Sequence, residues 1–265
     1  MRNNNFSESP LIKYYVYGDG ETVLFVHGGF SNGRASWKRQ IGELAAFAKL
    51  IVVDRRGHGS SPKLPRPYTI LGDALDILKV ADLIGIDRIH LVGHSYGALV
   101  ALEIALRREI QVETLHLIEP PALSILRNDP AVIDLSENLR RVQRLGPNMG
   151  KDWTARLFLE KLQGKDFVEY AASSPTWNKL LLEASRFWYE QFAADYDLDQ
   201  NDLANLHVPT WVYVGCQSNQ VLVRVSKELC DLLPCCKLVQ VPDGTHMLQA
   251  ESNVLSLQLI SLINP

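Results

Sequence analysis

The chain has 265 residues, 46% hydrophobic and 22% charged, with 27 basic side chains against 30 acidic ones and a formal net charge of −3. That is the composition of a globular protein long enough for a full core plus an insertion, and its well-mixed charges offer no basic stripe or polybasic segment, which sets aside nucleic acid and membrane surfaces as partners. No apolar run reaches the roughly 18 residues a membrane-spanning helix needs, and the polar start Met1-Arg2-Asn3-Asn4-Asn5 lacks a signal peptide's apolar core, so a cytoplasmic location is expected.

Short β-branched runs predict strands at 12–17 and 22–27. The second leads into His27-Gly28-Gly29-Phe30, a turn whose N–H groups can face a developing negative charge; on its own it reads as a plain glycine turn. A third strand is expected at 50–54. A helix follows over 69–84, with Ile70, Ala74, Ile77, Val80, Ala81 and Ile84 on one face.

The strand at 89–92 runs into Gly93-His94-Ser95-Tyr96-Gly97, which opens a helix over 96–108 that is apolar almost all round. This is the strand–turn–helix setting that G-x-S-x-G requires. A tight turn there strains the serine backbone and lifts Ser95 Oγ clear of the sheet, at a helix N-terminus with free N–H groups and a positive dipole end. Ser95 is therefore the candidate nucleophile. Gly29, Phe30 and Tyr96 are the candidate oxyanion donors.

After a strand at 114–118, no strand pattern recurs across 120–206, where aromatic residues cluster. A helical cap is expected over 120–206, inserted into a core domain of 1–119 and 207–265. Most of the aromatics fill core; two or three face a ligand, and Trp153, Trp177 and Trp188 are assigned to it. Strands are then expected at 210–214 and 237–241, with a last helix at 253–263. Strands alternating with helices predict an α/β fold, a doubly wound and mostly parallel sheet. Cys216, Cys230, Cys235 and Cys236 show neither C-x-x-C nor His-paired zinc spacing, so reduced, partly buried thiols are expected.

His246 stands in Asp243-Gly244-Thr245-His246-Met247, between the last strand and the last helix. A neutral imidazole there can take the serine proton and return it to a leaving group. Its rivals fit less well. His90 and His116 lie inside strands, and His27, His58 and His94 sit in glycine turns; His207 is the remaining rival.

The chain resembles a capped α/β-hydrolase over roughly residues 11–263. The resemblance rests on His27-Gly28-Gly29, Asp54-Arg55-Arg56-Gly57-His58-Gly59-Ser60-Ser61, Gly93-His94-Ser95-Tyr96-Gly97 and Gly244-Thr245-His246. It implies that the stretch 54–61 is mainly architectural. It also implies an aspartate after the strand at 210–214, but the sequence there is Gly215-Cys216-Gln217-Ser218-Asn219-Gln220, with Ser218 at the expected place. Glu119, closing the strand at 114–118, is the favoured replacement. Some branches of the family carry the acid there, often as glutamate, among them certain haloalkane dehalogenases and the hydrolases that open the resorcylic lactone zearalenone. Asp243 is the alternative; Asp197, Asp199, Asp202 or a dyad without an acid are further options.

In this family, haloalkane dehalogenases and soluble epoxide hydrolases use an aspartate at the elbow, so Ser95 points to acyl transfer instead. The expected substrate is an ester or lactone of an apolar or aromatic small molecule, with no metal and no organic cofactor. The alternatives are C–C cleavage of a diketone and a non-enzymatic small-molecule receptor. Oligomeric state stays open, a homodimer included.

Overall fold

Strand β2 (Thr22–Val26) shows why the middle of this protein is a covered sheet: Val23, Leu24, Phe25 and Val26 are all 0% exposed. Successive strand side chains point to opposite faces, so a run with no exposed residue requires cover on both sides. Leu24 and Val26 belong to one apolar cluster and Val23 and Phe25 to the other; Ile51 and Val53 against Leu50 and Val52 repeat the split on β3 (Lys49–Val53). Burial of such side chains contributes roughly 1.5–3 kcal/mol each.

The computed structural model describes residues 12–63 and 68–263; the polar N-terminal stretch read above as lacking a signal peptide lies outside them. In chain order, β1 (Tyr14–Tyr17), β2, α1 (Gly33–Ser36), α2 (Lys38–Leu44) and β3 lead to α3 (Ile70–Leu83), β4 (Arg88–His94), α4 (Tyr96–Arg107) and β5 (Gln111–Ile118). Helices α5 (Pro130–Met149), α6 (Lys151–Gln163), α7 (Lys165–Ser173), α8 (Trp177–Ala184) and α9 (Gln200–Ala204) follow. The chain closes with β6 (Thr210–Gly215), α10 (Gln220–Leu232), β7 (Cys236–Val241), α11 (Leu248–Glu251) and α12 (Val254–Ile263). Helix starts are marked locally: the Thr69 side chain accepts from Gly72 N–H, and Asp129 caps α5 just before Pro130.

The sheet order is β1-β3-β2-β4-β5-β6-β7, with β1 antiparallel to β3 and the other pairs parallel. The fold class is the doubly wound α/β arrangement expected from the sequence. The chain winds from β2 outward to β3, then returns to lay β4 on the other side of β2. Such a reversal leaves a crevice beyond the C-terminal ends of the two strands, where open α/β sheets bind ligands. The turn after β2 and the serine after β4 both open into it. Among the described residues no helix is long and apolar enough to cross a membrane.

The cysteines depart from the expectation of reduced thiols. Cys230, in the last turn of α10, and Cys236, the first residue of β7, form a disulfide with Cα atoms 5.4 Å apart; Cys216 and Cys235 are free and exposed. Helix α10 packs on β6 and β7, so the short connection folds its two ends onto each other.

Candidate active site

Ser95 connects β4 to α4 in a backbone conformation of φ 51° and ψ −123°, well outside the regions an L-residue favours. The flanking glycines are needed at this bend. A Cβ on Gly97 would lie 2.4 Å from the carbonyl oxygens of Val26 and His27, and one on Gly93 would lie 2.4 Å from that of Gly97. Helix α4 can therefore start tight against β2 and β4. Ser95 N–H donates to Ile118 O at 2.8 Å, which anchors the strained residue to the neighbouring strand.

His246 lies buried in the loop between β7 and α11. Its Nε2 stands 3.1 Å from Ser95 Oγ and its Nδ1 2.6 Å from Glu119 Oε2. A carboxylate only accepts, so the network assigns Nδ1–H to His246 and leaves Nε2 to accept the Ser95 proton. His94, one residue before the serine, donates from Nε2 to the carbonyl oxygen of His246 at 2.8 Å. Burial, reinforced by the neighbouring His246, lowers the His94 pKa to about 3, so this support stays a neutral donor.

Glu119 follows β5 with φ 43°, a strained angle for a residue that also precedes a proline. Its carboxylate is fully buried and collects three donors: Gly215 N–H on Oε1 at 2.8 Å, and Ser218 Oγ–H at 2.5 Å together with His246 on Oε2. Ser218, standing where the family's aspartate was expected, thus serves the carboxylate that takes that place. Asp243 is exposed on its turn.

Facing Ser95 across the crevice, the turn after β2 carries Phe30 at φ 55°. The N–H of Tyr96, in the first turn of α4, is one of the donors a helix leaves unpaired. Ser95, Gly29, Phe30 and Tyr96 all line one cavity of about 60 Å³. The structure therefore brings together Ser95, His246, Glu119 and the three expected oxyanion residues.

Residues 23–254 match the alpha/beta hydrolase family. The chain belongs to that family. It is 39% identical over 111 residues to RutD of Variovorax paradoxus strain S110, whose name provisionally assigns it carbamate hydrolysis; that match covers 40% of this chain and 41% of RutD. It is 36% identical over 101 residues to epoxide hydrolase 3 of Siraitia grosvenorii, covering 37% of this chain and 32% of that protein. These matches span about two-fifths or less of the curated relatives' length. Its fold is shared with an alpha/beta hydrolase from Sphaerobacter thermophilus DSM 20745, at a TM-score of 0.74 and 22% identity over 94% of this chain and 96% of that one.

In this alpha/beta hydrolase the cavity wall is built from different aromatics than the sequence suggested. Trp153, Trp177 and Trp188 do not line it; Phe30, Phe158, Phe187 and Phe192 do. An indole N–H needs an acceptor when buried, and two of these indoles find theirs on α6: Trp177 bonds Asp152 at 2.9 Å and Trp188 bonds Thr154 at 3.0 Å. Trp153 packs half-buried against the main core. Phenyl rings carry no such demand. Phe30 stacks on Phe158 at 4.5 Å, and Phe158 meets Phe187 edge-on at 4.9 Å.

The stretch 54–61 is partly architectural, as the resemblance implied. Asp54 accepts from Gly33 N–H and Ser60 N–H, each at 2.8 Å. Arg55 does something sequence reasoning missed: it reaches the carbonyl oxygens of His27 and Gly28 while pairing with Asp73 and Glu190. Nothing local marked it, since Arg55 stands between two other charged residues, Asp54 and Arg56.

Proposed function

We propose that this hydrolase cleaves small, uncharged carboxylic esters or lactones through an acyl-enzyme on Ser95, with His246 as general base and Glu119 as the third member of the triad. The observation that carries this reading is the unbroken chain Ser95 Oγ–His246–Glu119, with spacings of 3.1 and 2.6 Å, opening into a cavity walled by apolar side chains.

The steps follow from the geometry. His246 Nε2 takes the Ser95 proton as Oγ attacks the substrate carbonyl. The new oxyanion is held by N–H groups of the 29–30 turn and of Tyr96. The imidazolium formed is stabilised by the Glu119 carboxylate, which keeps the ring in the productive tautomer. His246 then gives its proton to the departing alcohol oxygen, and water repeats the sequence on the acyl-enzyme.

The nucleophile and the cavity supply the finer reading. A serine hydroxyl forms an acyl-enzyme with a carbonyl substrate, whereas epoxide opening through a hydrolysable ester intermediate needs a carboxylate nucleophile. Among the described residues no lysine or arginine lines the cavity, and the one carboxylate there, Glu190, is paired with Arg55; an uncharged acyl group fits such a wall. A cavity of about 150 Å³ accommodates benzene, so about 60 Å³ has room for a short acyl chain but none for a polyketide macrocycle. Glu119 as the acid favours a lactone-opening relationship, here with small rings.

The test is turnover of a panel containing p-nitrophenyl acetate and butyrate, small γ- and δ-lactones, aryl carbamates and β-diketones. Ester or lactone cleavage with burst kinetics is expected. Activity confined to carbamates or diketones would move the reading to those carbonyls, and no turnover with no Ser95 labelling would make the chain a receptor.

A further inference from the structure

Arg55 is buried to 1% exposure, and several of its contacts converge on the turn after β2 and on Tyr96. Its Nε donates to His27 O at 3.0 Å and its Nη2 to Gly28 O at 3.3 Å, the two carbonyls of the turn that presents Gly29 and Phe30. The guanidinium also lies 4.5 Å from the centre of the Tyr96 ring. One planar cation therefore touches both sources of the oxyanion donors. His27 is bound into the same arrangement: its Nε2 accepts from Arg55 N–H at 3.0 Å, which assigns the ring proton to Nδ1, donated to Gly28 O at 2.7 Å.

Two carboxylates hold this cation, and they come from different places. Asp73, on α3, bonds Nη1 at 2.7 Å, and Glu190, beyond α8, bonds Nη2 at 2.6 Å. Asp73 suffices to neutralise Arg55, so Glu190 is a second buried charge that the balance does not require. Burial of a charge is costly unless close pairing and hydrogen bonds offset it, and removing one partner of a buried pair leaves the other uncompensated. Glu190 is also fixed by its backbone. Its carbonyl accepts from Gln143 Nε2 at 2.9 Å, and its neighbours pair with Tyr68, Tyr189 O accepting from Tyr68 N–H at 2.9 Å and Gln191 N–H donating to Tyr68 O at 2.6 Å. Glu190 lines the cavity beside Ser95.

We propose that Arg55, clamped by Glu190, is the positioning group that sets the oxyanion cradle, so that the segment between β5 and β6 fixes the catalytic N–H groups through one buried ion pair. This rests on the reading of Ser95 as nucleophile. Neither residue touches the reacting atoms; both act through the backbone of the 27–30 turn and through Tyr96. Misplacement of a catalytic group by about 1 Å can cost about a hundredfold in rate.

Two variants separate this role from simple packing. Glu190→Gln keeps the shape and removes the charge that clamps Arg55. Arg55→Lys keeps the charge but lacks the fork that spans both carbonyls and both carboxylates. For each, kcat and KM on p-nitrophenyl butyrate, the Ki of butylboronic acid and the rate of Ser95 phosphonylation by a fluorophosphonate are measured, with folding checked by thermal denaturation. The expected result is a ten- to hundredfold fall in kcat, a similar loss in boronic-acid affinity and phosphonylation rate, and little change in KM. If Arg55→Lys does not fold, the isosteric Glu190→Gln decides. A Glu190→Gln enzyme with wild-type kcat and boronic-acid affinity overturns the positioning role and leaves the Ser95 reading intact. A wild-type protein that is neither active nor labelled at Ser95 overturns both.

Discussion

Glu119→Gln replaces a carboxylate by an amide of the same shape, and the structure dictates what the amide meets. If its oxygen takes the Oε2 position, it still accepts from Ser218 and His246, but its NH₂ then faces Gly215 N–H across the 2.8 Å that Oε1 now bridges. That leaves a buried donor unpaired, at about 1–3 kcal/mol. If the amide turns the other way, its NH₂ faces His246 Nδ1, and the ring must move its proton to Nε2. Nε2 then cannot accept the Ser95 proton. Either arrangement also removes the negative charge that stands 2.6 Å from the forming imidazolium. Changing a triad acid to its amide costs about 10⁴ in kcat, or about 5.4 kcal/mol of transition-state stabilisation. Steady-state kinetics on p-nitrophenyl butyrate, with a thermal melt to show that the variant is folded, measures this directly. Asp243→Asn, on an exposed turn, should stay near wild type. A Glu119→Gln enzyme within tenfold of wild type, or a crippled Asp243→Asn, would refute the assignment.

Phe187→Ala should enlarge the acyl space beside the stacked Phe30 and Phe158; the kcat/KM ratio of p-nitrophenyl hexanoate to acetate is expected to rise about tenfold or more, since one methylene in an apolar pocket is worth about 1–3 kcal/mol, and an unchanged ratio would place the acyl chain elsewhere. Stability should fall in acid. Burial holds His94 and His116 at about 3 and His27 and His58 well below their ordinary 6.5. Their folded pKa values are depressed, so below pH 6.5 the unfolded chain binds protons that the folded one refuses, at up to about 1.4 kcal/mol per pH unit for each histidine. Asp73, pushed up to about 6 by burial, has the opposite sign as pH falls, as do Asp76 and Glu183, also raised by burial; against these three stand the four histidines above and His90, which burial lowers as well. The melting temperature should therefore be lower at pH 5 than at pH 7.5; equal or higher values would contradict these environments.

What the sequence disclosed depended on how local the physics is. The seven strands were readable because runs such as Val23–Val26 are apolar on both faces whatever packs on them. The serine elbow was readable because the G-x-S-x-G pattern is itself local, the Gly93 clash being with Gly97 and Ala98 just beyond Ser95, although Gly97 answers a clash with Val26 and His27 at the end of the neighbouring strand. Glu119 could be found because the end of a strand next to β4 must lie near the serine. The cavity wall could not be read. Whether Trp188 or Phe187 faces the substrate depends on where an indole finds an acceptor, here Thr154, 34 residues away. Arg55 was hidden for the same reason, since its two carboxylates stand 18 and 135 residues off. The Cys230–Cys236 bridge depends on α10 returning its end to the start of β7, and residue spacing alone does not show that.

Mass spectrometry after reaction with a fluorophosphonate tests the nucleophile most directly. One adduct is expected, on the peptide carrying Ser95, with none on a folded Ser95→Ala protein and at least a thousandfold loss of turnover in that variant. An adduct on another residue, or hydrolysis undiminished without the Ser95 hydroxyl, would contradict the account.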